Sequence, residues 1–500
     1  MNELGVTVKK VEDFTEWYIQ VVLKSNLLDY APIKGFIVLK PYGYAIWERI
    51  REIADKRFKE TGHQNAFLPT LIPESLLSKE AEHFEGFKPE VFWVTHAGND
   101  ELGERLALRP TSETLAYEIF SRWVRSYRDL PLKINFWNTA LRAEIKSTKP
   151  LIRTSEFLWQ EGHTVHASKE EAEEEARLML SIYREIIEEY LAIPVIAGYK
   201  SDREKFVGAD YTLTLEALMP DGRALQMGTS HNLGQNFSRP FNIKFLDKDG
   251  KEHYAWQTSW GISWRLIGAM VMVHGDDKGL VLPPRIAPIQ IVIIPIFYGD
   301  DSKHSVIDKC KNVYALLRDR FRVHLDDREE YTPGYKFNDW ELKGIPLRVE
   351  IGPRDVKQGK VVLARRDDSR KVSVGDEELL DVVTNMLEDI QHSLYRRASE
   401  FLNSHTFSTL SYDEFKERVE HGFIRTYWCG SQECELRIKE ETGADIRVIP
   451  FDHNGKDITS ERERERMKRQ VRDREGDEGD MVCIYCRRNA EKVAYFAKAY

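Results

Sequence analysis

The chain has 500 residues, of which 42% are hydrophobic, and this length and composition predict two to four domains with substantial cores. Its formal net charge of -9 argues against a protein that simply coats nucleic acid, although an acidic body can still carry a local basic groove. The N-terminus lacks the apolar run of a secretory signal, and Pro288 and Pro295 interrupt the longest apolar stretch, which predicts a soluble cytoplasmic protein without a membrane segment.

The first hundred or so residues predict two helices with an extended segment between them. A helix is predicted from Pro41 to about Phe58, because proline suits a first helical turn and isoleucines then recur at helical spacing. Residues 65–73 are predicted to be extended. The second helix is predicted to begin at Thr111-Ser112-Glu113, with the Ser or Thr hydroxyl as its cap.

Polar and aromatic side chains concentrate between Leu141 and His163, after a strand-like alternation at residues 132–137. If both arms of this segment are extended, Arg142 and Glu144 share one face of the first arm. The second arm then presents on one face Arg153, Phe157, Trp159, Glu161 and His163. A hairpin with solvated charges is the simplest alternative, but it gives no reason for aromatic rings among the charges. Guanidiniums bind phosphate and an aromatic ring stacks on a base, so the segment predicts a site for ATP or a nucleotide ester.

The middle of the chain predicts one charged helix followed by strands. Residues 168–191 are predicted to be an amphipathic helix whose glutamates form a solvated face. Residues 210–218 alternate as a strand, Asp221-Gly222 predicts a turn, and residues 224–236 a second arm. Residues 254–260 lead into a glycine-marked strand end and a helix with Arg265 near its start. An ordinary helix-surface charge is the alternative for this arginine.

From Leu282 onward the pattern changes to alternating strands and helices. Strands are predicted near residues 289–294, 321–325, 347–351 and 360–364, which indicates a separate α/β module of about a hundred residues. Several charged residues are expected to be exposed around one group of strand ends, where they serve either solubility or nucleic-acid contact: Glu350, Arg354, Lys357, Arg365 and Arg366.

Four of the five cysteines lie near the C-terminus. Cys429, Cys434 and the C-x-x-C pair Cys483 and Cys486 predict a four-thiolate structural zinc site in a reducing compartment, with two disulfides or unrelated thiols as the alternative. Cys310 is expected to be a small buried residue. Residues 460–475, which alternate Glu and Arg, fit an exposed helix or a mobile arm.

Neither of the two commonest nucleotide-binding glycine motifs occurs, so a nucleotide site must be built on antiparallel strands. Arg142-x-Glu144, a loop, and then Arg153-x-x-x-Phe157 resembles motif 2 of the class II aminoacyl-tRNA synthetases. Arg265 in its context resembles their motif 3, and residues 41–73 with Pro69 resemble motif 1. Within this class, the chain resembles the prolyl-tRNA synthetases of the archaeal and eukaryotic type over essentially its whole length. The segments that carry this resemblance are Arg109-Pro-Thr111-Ser-Glu113, Phe157-Leu-Trp-Gln-Glu-Gly-His163, Gly228-Thr-Ser-His231-Asn-Leu-Gly-Gln-Asn-Phe237, Trp260-Gly261, Ile351-Gly-Pro-Arg354-Asp and the cysteine-bearing tail that ends in Tyr500.

The resemblance implies an α/β (α+β) protein of three domains. These are a class II catalytic domain on an antiparallel sheet at 1–284, an α/β anticodon-binding domain at 285–395 and a zinc-containing α/β domain at 396–500. It implies ATP-dependent activation of L-proline to prolyl-adenylate and transfer to the 3′ end of tRNA(Pro), with Mg²⁺, by a homodimer joined through motif 1. The short interval between motifs 2 and 3 leaves no room for the large editing insertion of the bacterial-type enzymes.

The resemblance also implies a role for each matching residue. The nucleotide would be bound by Arg142 at the α-phosphate, Arg153 and Arg265 at the outer phosphates, Phe157 against adenine, and Glu144, Thr154, Gln226, Thr229 and Ser263 through polar contacts, with Gln226 also a magnesium ligand. Proline would meet Arg142 at its carboxylate, Thr111 and Glu113 at its ammonium, and a wall formed by Trp159, Glu161, His163, Phe206 and His231. Glu350 and Arg354 would read the anticodon. Trp264 stands where many class members have a glutamate, so the role of that glutamate does not carry over.

Three other functions compete with this one. The first is an enzyme of the same class for threonine, glycine or histidine, which the amino-acid dependence of pyrophosphate exchange would distinguish. The second is a catalytically silent tRNA-binding relative, which the filled nucleotide-facing positions disfavour. The third is a zinc-dependent nucleic-acid-binding protein, which fits poorly with the acidic balance.

Overall fold

The computed structural model describes residues 5–81, 90–143, 147–297, 299, 302–451, 481–490 and 492–500. The first part of the chain contains, in order, α1 (Phe14–Lys24), β1 (Leu28–Tyr30), β2 (Ile37–Leu39), α2 (Pro41–Glu60), β3 (Gln64–Asn65), β4 (Leu71–Pro73), α3 (Glu74–Ala81), β5 (Trp93–Ala97), β6 (Asp100–Leu108), α4 (Glu113–Trp123), β7 (Leu132–Leu141), β8 (Glu156–His166), α5 (Lys169–Glu185), β9 (Ile196–Tyr199), β10 (Tyr211–Leu218), β11 (Ala224–Gly234), β12 (Lys244–Leu246), β13 (Glu252–Tyr254), β14 (Trp256–Ser263) and α6 (Arg265–His274). A 3₁₀ turn (Tyr127–Asp129) precedes β7, and a π-helical turn (Ile186–Tyr190) continues α5.

The second part contains β15 (Ile291–Pro295), α7 (Lys303–Leu317), β16 (Val323–Leu325), α8 (Pro333–Leu342), β17 (Leu347–Ile351), α9 (Pro353–Gln358), β18 (Lys360–Arg365), β19 (Lys371–Gly375) and α10 (Leu379–Ser404). The third part contains β20 (Thr406–Ser408), α11 (Tyr412–Arg418), β21 (Phe423–Trp428), α12 (Gln432–Thr442), β22 (Asp445–Pro450) and β23 (Lys492–Ala497). The alternating Glu and Arg run at 460–475 lies outside the described residues.

The largest sheet is continuous between the first and third parts. It has 11 strands in the order β20-β21-β23-β22-β9-β10-β11-β14-β8-β7-β3. Its centre, from β9 to β7, is antiparallel, and β22 pairs with β9 to join the two parts. These strands confirm the expected antiparallel sheet, and they place the segment from Arg142 to His163 beside β14 and β11.

Helix α5 covers one face of this sheet and begins where Ser168 caps it, through an Oγ that accepts from the Glu171 backbone N–H at 3.2 Å. The expectation that all of its glutamates are solvated is wrong for Glu175, which is only 3% exposed. Its carboxylate accepts from His63 Nε2 at 2.7 Å and from Lys133 Nζ at 2.6 Å. A carboxylate with two such partners can be buried because its lost hydration is replaced.

The two predicted helix starts have different outcomes. Helix α2 begins at Pro41, as expected. Helix α4 begins at Glu113 with Ser112 at its N-cap position, but the Ser112 side chain makes no capping hydrogen bond. Both hydroxyls bind carboxylates instead: that of Thr111 donates to Glu113 and that of Ser112 to Glu161.

The second part is a mixed α/β layer, as predicted, with strand order β16-β15-β17-β18-β19. Cys310 is fully buried in its core, which confirms that prediction. The expectation of a common exposed charge group is wrong for Glu350, Arg365 and Arg366, which are at most 8% exposed and are engaged in ion pairs. Arg354 and Lys357 are exposed on the short helix α9.

Two further features concern the edge of the largest sheet and the helices. Strand β3 ends the largest sheet, and the nearby Phe67 side chain is 82% exposed. Across the described part of the chain, the helices are each too short or too polar to cross a membrane.

Candidate active site

One cavity of about 410 Å³ opens above β8, β14 and β11. Every described residue that the sequence assigned to proline or ATP lines it: Thr111, Glu113, Arg142, Arg153, Thr154, Phe157, Trp159, Glu161, His163, Phe206, Gln226, Thr229, His231, Ser263 and Arg265. Glu144 lies outside the described residues.

The floor of the cavity is built by strand register. His163 of β8 lies opposite Ser259 of β14, which lies opposite His231 of β11. The next row joins Glu161, Gly261 and Thr229 in the same way. Directly opposite residues project to the same face of an antiparallel sheet, so the two rows form adjacent lines across the floor.

Glu161 is the centre of a buried hydrogen-bond network and is only 2% exposed. Its carboxylate accepts from the Ser112 backbone N–H at 3.0 Å, from Asn138 Nδ2 at 2.9 Å and from the Ser112 hydroxyl. Burial works to raise the pKa of Glu161, but the hydrogen bonds, with that of His163 first, lower it below its ordinary value. The anionic Glu161 therefore fixes the loop that carries Thr111 and Glu113.

The pKa values of the two floor histidines are shifted in opposite directions. Burial works against a proton on His163, but its 3.2 Å contact with Glu161 and the charge of Glu113 raise its pKa above the ordinary value. Burial lowers the pKa of His231 to about 3, with the charge of His163 as a second cause. His231 is thus a neutral ring, and it packs against Phe206 with centroids 4.7 Å apart.

The opposite end of the cavity carries guanidiniums. Arg142 lies over the rings of Phe157 and Trp159, with its guanidinium carbon 5.1 and 5.9 Å from their centroids. Arg265 is the first residue of α6, and its Nε donates to the Ile152 carbonyl at 3.2 Å. Burial lowers the pKa of Arg265 to about 10, with the nearby charge of Arg142 as the next cause. This end concentrates positive charge beside an aromatic wall, which suits a polyphosphate attached to a base.

Sequence reasoning missed several residues of the site. Asn138 and Ser112 hold Glu161, Tyr117 Oη contacts His163 Nδ1 at 3.2 Å, and Ser259 lies between the two histidines. Ser259 could have been found, because it lies two positions before Gly261 and therefore on the same strand face. Ser112 lies between the predicted Thr111 and Glu113, whereas Asn138 and Tyr117 come from separate elements, and sequence alone offers no spacing that would connect those two to the site.

The four C-terminal cysteines converge on one point, as predicted. Their sulfur atoms all lie within 4.8 Å of one another, and Cys429 Sγ is 3.6 Å from Cys434 Sγ and 3.7 Å from Cys486 Sγ. Four thiolates about 2.3 Å from a tetrahedral zinc ion would be separated by about 3.8 Å. The cluster therefore fits zinc, and all four cysteines are free thiols rather than disulfides.

Comparison with protein families gives the class of the chain. Residues 92–274 match the tRNA synthetase class II core domain (G, H, P, S and T), and residues 290–386 match an anticodon binding domain. Together with the antiparallel sheet and its cavity, these matches make the chain a class II aminoacyl-tRNA synthetase.

Residues 412–500 match the C-terminal domain of prolyl-tRNA synthetase. A proline–tRNA ligase of Cenarchaeum symbiosum is 56% identical over the full length of both chains, and one of Natranaerobius thermophilus is 54% identical over 88% of this chain and 91% of its own. Two crystal structures of prolyl-tRNA synthetase from Cryptosporidium parvum, one with halofuginone and AMPPNP and one with L-proline and AMP, are 40% identical. They cover 99% of this chain and 97% of their own, with TM-scores of 0.91 and 0.90. The chain belongs to the prolyl-tRNA synthetase family.

Proposed function

We propose that this cavity ligates L-proline to tRNA(Pro) at the expense of ATP, with the two substrates at opposite ends of the floor. The observation that carries the proposal is the convergence of a carboxylate-lined pocket and a guanidinium-lined wall in one cavity. The relatives named as proline–tRNA ligases cover the chain end to end, and a related structure holds L-proline and AMP.

The proline end is assigned to the Glu113 side of the cavity. Glu113 is 4% exposed and, with Thr111, offers oxygen atoms to a secondary ammonium. Neutral His231 and Phe206 offer rings to the hydrocarbon part of the pyrrolidine, while Trp159 and His163 close the other sides. The Trp159 Nε1 donor has no hydrogen-bond partner within the described residues, so it can donate to a substrate oxygen.

The ATP end is assigned to the arginines. Arg142 would contact the α-phosphate and the proline carboxylate, Arg153 and Arg265 the outer phosphates, and Phe157 the adenine. Thr154, Thr229, Ser263 and Glu144 are assigned to the remaining polar contacts of the nucleotide. Gln226 offers one amide oxygen, which fits a Mg²⁺ ion that keeps water and phosphate as its other ligands. When bound, the ion would supply neutralisation of phosphate charge.

In this reaction the residues of the cavity would position the reacting groups and neutralise the negative charge of the phosphates. The proline carboxylate attacks the α-phosphorus in line, and the bond to the bridging oxygen breaks as pyrophosphate leaves. The 3′-hydroxyl of the tRNA then attacks the prolyl carbonyl, and AMP leaves. Arg142, fixed against Phe157 and Trp159, is placed to hold both reacting groups.

The experiment that tests this function is proline-dependent exchange of pyrophosphate into ATP with a panel of the twenty amino acids. We expect proline alone to drive full exchange, and Arg142→Ala to abolish it while circular dichroism stays unchanged. Arg122→Ala is a matched control, because Arg122 is an exposed arginine paired with Glu118 on α4. Strongest exchange with threonine, glycine or histidine, or near-normal exchange in Arg142→Ala, would contradict the assignment.

The second part is assigned to the anticodon, with Arg354 and Glu350 as readers. Arg354 is exposed at the start of α9, where a guanidinium can reach a guanine edge. Glu350 is paired with Arg348 and Lys371 at 2.8 Å each, so it would also orient those cations toward RNA. Charging of anticodon-mutant tRNA by Arg354→Ala tests this role, and an unchanged preference would remove Arg354 as a reader.

The remaining assignments concern assembly and type. A structural zinc ion is assigned to the four cysteines, and a cytoplasmic homodimer to the edge formed by α2, β3 and the exposed Phe67, since an uncovered sheet edge favours association. The archaeal and eukaryotic type is supported by the cysteine cluster and by the short interval from β8 to Arg265. The domain limits 1–284, 285–395 and 396–500 stay a proposal; residue 395 lies within α10.

A further inference from the structure

A buried charge cluster connects the third part of the chain to the first. Glu216 of β10 is fully buried, and its Oε1 accepts from Lys200 Nζ at 2.6 Å. Its Oε2 accepts from Arg447 Nη2 at 2.9 Å and from Arg447 Nε at 3.1 Å. Lys200 and Arg447 are each 7% exposed. We call these three residues the Glu216 cluster, in which both cations bind the one carboxylate.

Arg447 reaches Glu216 because two strands approach closely. It lies on β22, which pairs with β9, and its side chain extends past β9 to β10. A Cβ at Gly198 of β9 would lie 2.2 Å from the Ile449 carbonyl oxygen and 2.5 Å from Val448 Cγ1. Glycine at position 198 therefore permits the approach, and the third part of the chain inserts a charge into the catalytic sheet.

The cluster lies one strand away from the phosphate end of the cavity. Glu216 pairs directly with Gln226 of β11, and Gln226 lines the cavity. The Gln226 carbonyl accepts from Arg265 Nη1 at 3.4 Å. Burial and the charge of Arg142 are the two largest influences on the pKa of Arg265, and both lower it. The charge of Glu216 is the next largest influence, and it raises the pKa. Glu216 is thus a carboxylate that stabilises the charge of Arg265.

We propose that Arg447 is a positioning residue for ATP, because it holds Glu216 in the cluster and so leaves Arg265 available to the phosphates. The inference rests on the proposed assignment of Arg265 to the outer phosphates. Without Arg447, one buried oxygen of Glu216 loses its donors, and an unpaired buried carboxylate is strongly unfavourable. Lys200 and Thr214 already bond the other oxygen of Glu216. We therefore expect the freed oxygen to attract Arg265, and a carboxylate bound to Arg265 would compete with phosphate.

The test measures the KM values for ATP and proline in pyrophosphate exchange by the full chain. In Arg447→Gln we expect the KM for ATP to rise about tenfold or more, while the KM for proline changes less than about twofold. Arg447→Lys keeps the charge but replaces the forked guanidinium with a single ammonium group, so it should raise the KM for ATP by about three- to fivefold. This milder variant also provides the result if Arg447→Gln does not fold.

The double variant Glu216→Gln/Arg447→Gln separates positioning from stability. With the carboxylate removed, nothing competes for Arg265, so the KM for ATP should return to within about threefold of that of the unmodified chain. If Arg447 had only a structural role, the double variant would have a higher KM for ATP than Arg447→Gln. Arg425→Gln is the matched control: Arg425 is another buried arginine of the third part, it bonds Ser408 at 2.9 Å, and its loss should lower the melting temperature without changing either KM.

The outcomes distinguish this inference from the function on which it rests. An unchanged KM for ATP in both Arg447 variants, a parallel rise in both KM values, or a double variant worse than Arg447→Gln would overturn the role of Arg447. Absence of proline-dependent exchange in the unmodified chain would overturn the proposed function, and this inference with it.

Discussion

Replacing Glu161 with glutamine tests the polar frame of the proline pocket, because the change keeps the size of the side chain and removes its charge. The carboxylate accepts from the Ser112 backbone N–H, from the Ser112 hydroxyl, from Asn138 Nδ2 and from His163 Nε2. A hydrogen bond to a charged group contributes about 1.5–3 kcal/mol and a neutral one about 0.5–1.5 kcal/mol. Each bond that becomes neutral therefore loses about 1 kcal/mol.

The neighbours of Glu161 limit the total cost. Asn138 Oδ1 has no hydrogen-bond partner within the described residues, so a flip of that amide lets it accept from the introduced NH₂ group. The Ser112 hydroxyl can also rotate. The loss is then confined to about two weakened bonds, or about 2 kcal/mol, which corresponds to about a 30-fold lower kcat/KM for proline. Because the frame holds Thr111 and Glu113, the loss should fall on proline rather than on ATP.

The assay is pyrophosphate exchange with proline and ATP varied separately. Glu175→Gln is the matched control, since Glu175 is a second buried carboxylate, on helix α5, and is bonded to His63 and Lys133 outside the cavity. It should lower the melting temperature and leave the KM for proline within about twofold of the original. A kcat/KM for proline within about threefold of normal in Glu161→Gln would refute the reasoning, as would an equal rise in the KM for ATP.

Three further predictions concern metal, pH and packing. The purified protein should contain about one zinc ion per chain by atomic emission, and Cys434→Ser should lose the zinc and have a lower melting temperature. A zinc-free protein with an unchanged melting temperature would contradict this prediction. Hydrogen bonds from Arg328 and Trp340 overcome the burial of Asp326 and lower its pKa to about 2 from 3.8. The ionised Asp326 therefore stabilises the fold fully above about pH 4, and this stabilisation is lost as the pH falls toward 2. Asp326→Asn should lower the free energy of unfolding by about 2 kcal/mol at pH 7, and the two proteins should become equally stable by pH 2. A stability difference that stays constant with pH would refute this prediction. A Cβ at Gly162 would lie 2.0–2.2 Å from the Trp260 ring, so Gly162→Ala should destabilise by about 3 kcal/mol and weaken exchange, whereas Gly103→Ala, with open space, should do neither.

The sequence predicted the elements of the site better than the positions of its charges. Alternation correctly placed Phe157, Trp159, Glu161 and His163 along β8. It was wrong for Arg153, which precedes the strand in a turn bridged to Lys149, and Arg142 follows the last residue of β7. Both arginines still line the cavity. Side chains alternate between the two faces only where the backbone is a paired strand, so the alternation does not predict the positions of residues beyond the end of the strand.

The buried charges were the least predictable part of the fold. Arg365 and Arg366 lie at the end of β18 and were expected at the surface. Both are buried instead, where Arg365 pairs with Asp367 and Arg366 pairs with Asp276. A single sequence shows that a residue is charged but does not show whether a partner meets it. Burial of charge depends on that partner, so it becomes visible only in three dimensions.

Three buried glutamates share one consequence for the geometry of the site: Glu161 and Glu216 lie on the catalytic sheet, and Glu175 lies on helix α5, which covers it. Glu161, Glu175 and Glu216 each accept from at least two segments that are distant in sequence: Ser112 and Asn138, His63 and Lys133, Lys200 and Arg447. Backbone pairing fixes neighbouring strands relative to one another, but it does not fix the loop that carries Ser112 or the position of helix α5 over the sheet. A carboxylate that must be satisfied on both oxygens removes that freedom, since any shift exposes a buried charge without a partner. Loss of any one of the three should therefore loosen its own segments first. We expect an effect on the cavity only for Glu161, which lines it, and for Glu216, which pairs with the cavity residue Gln226.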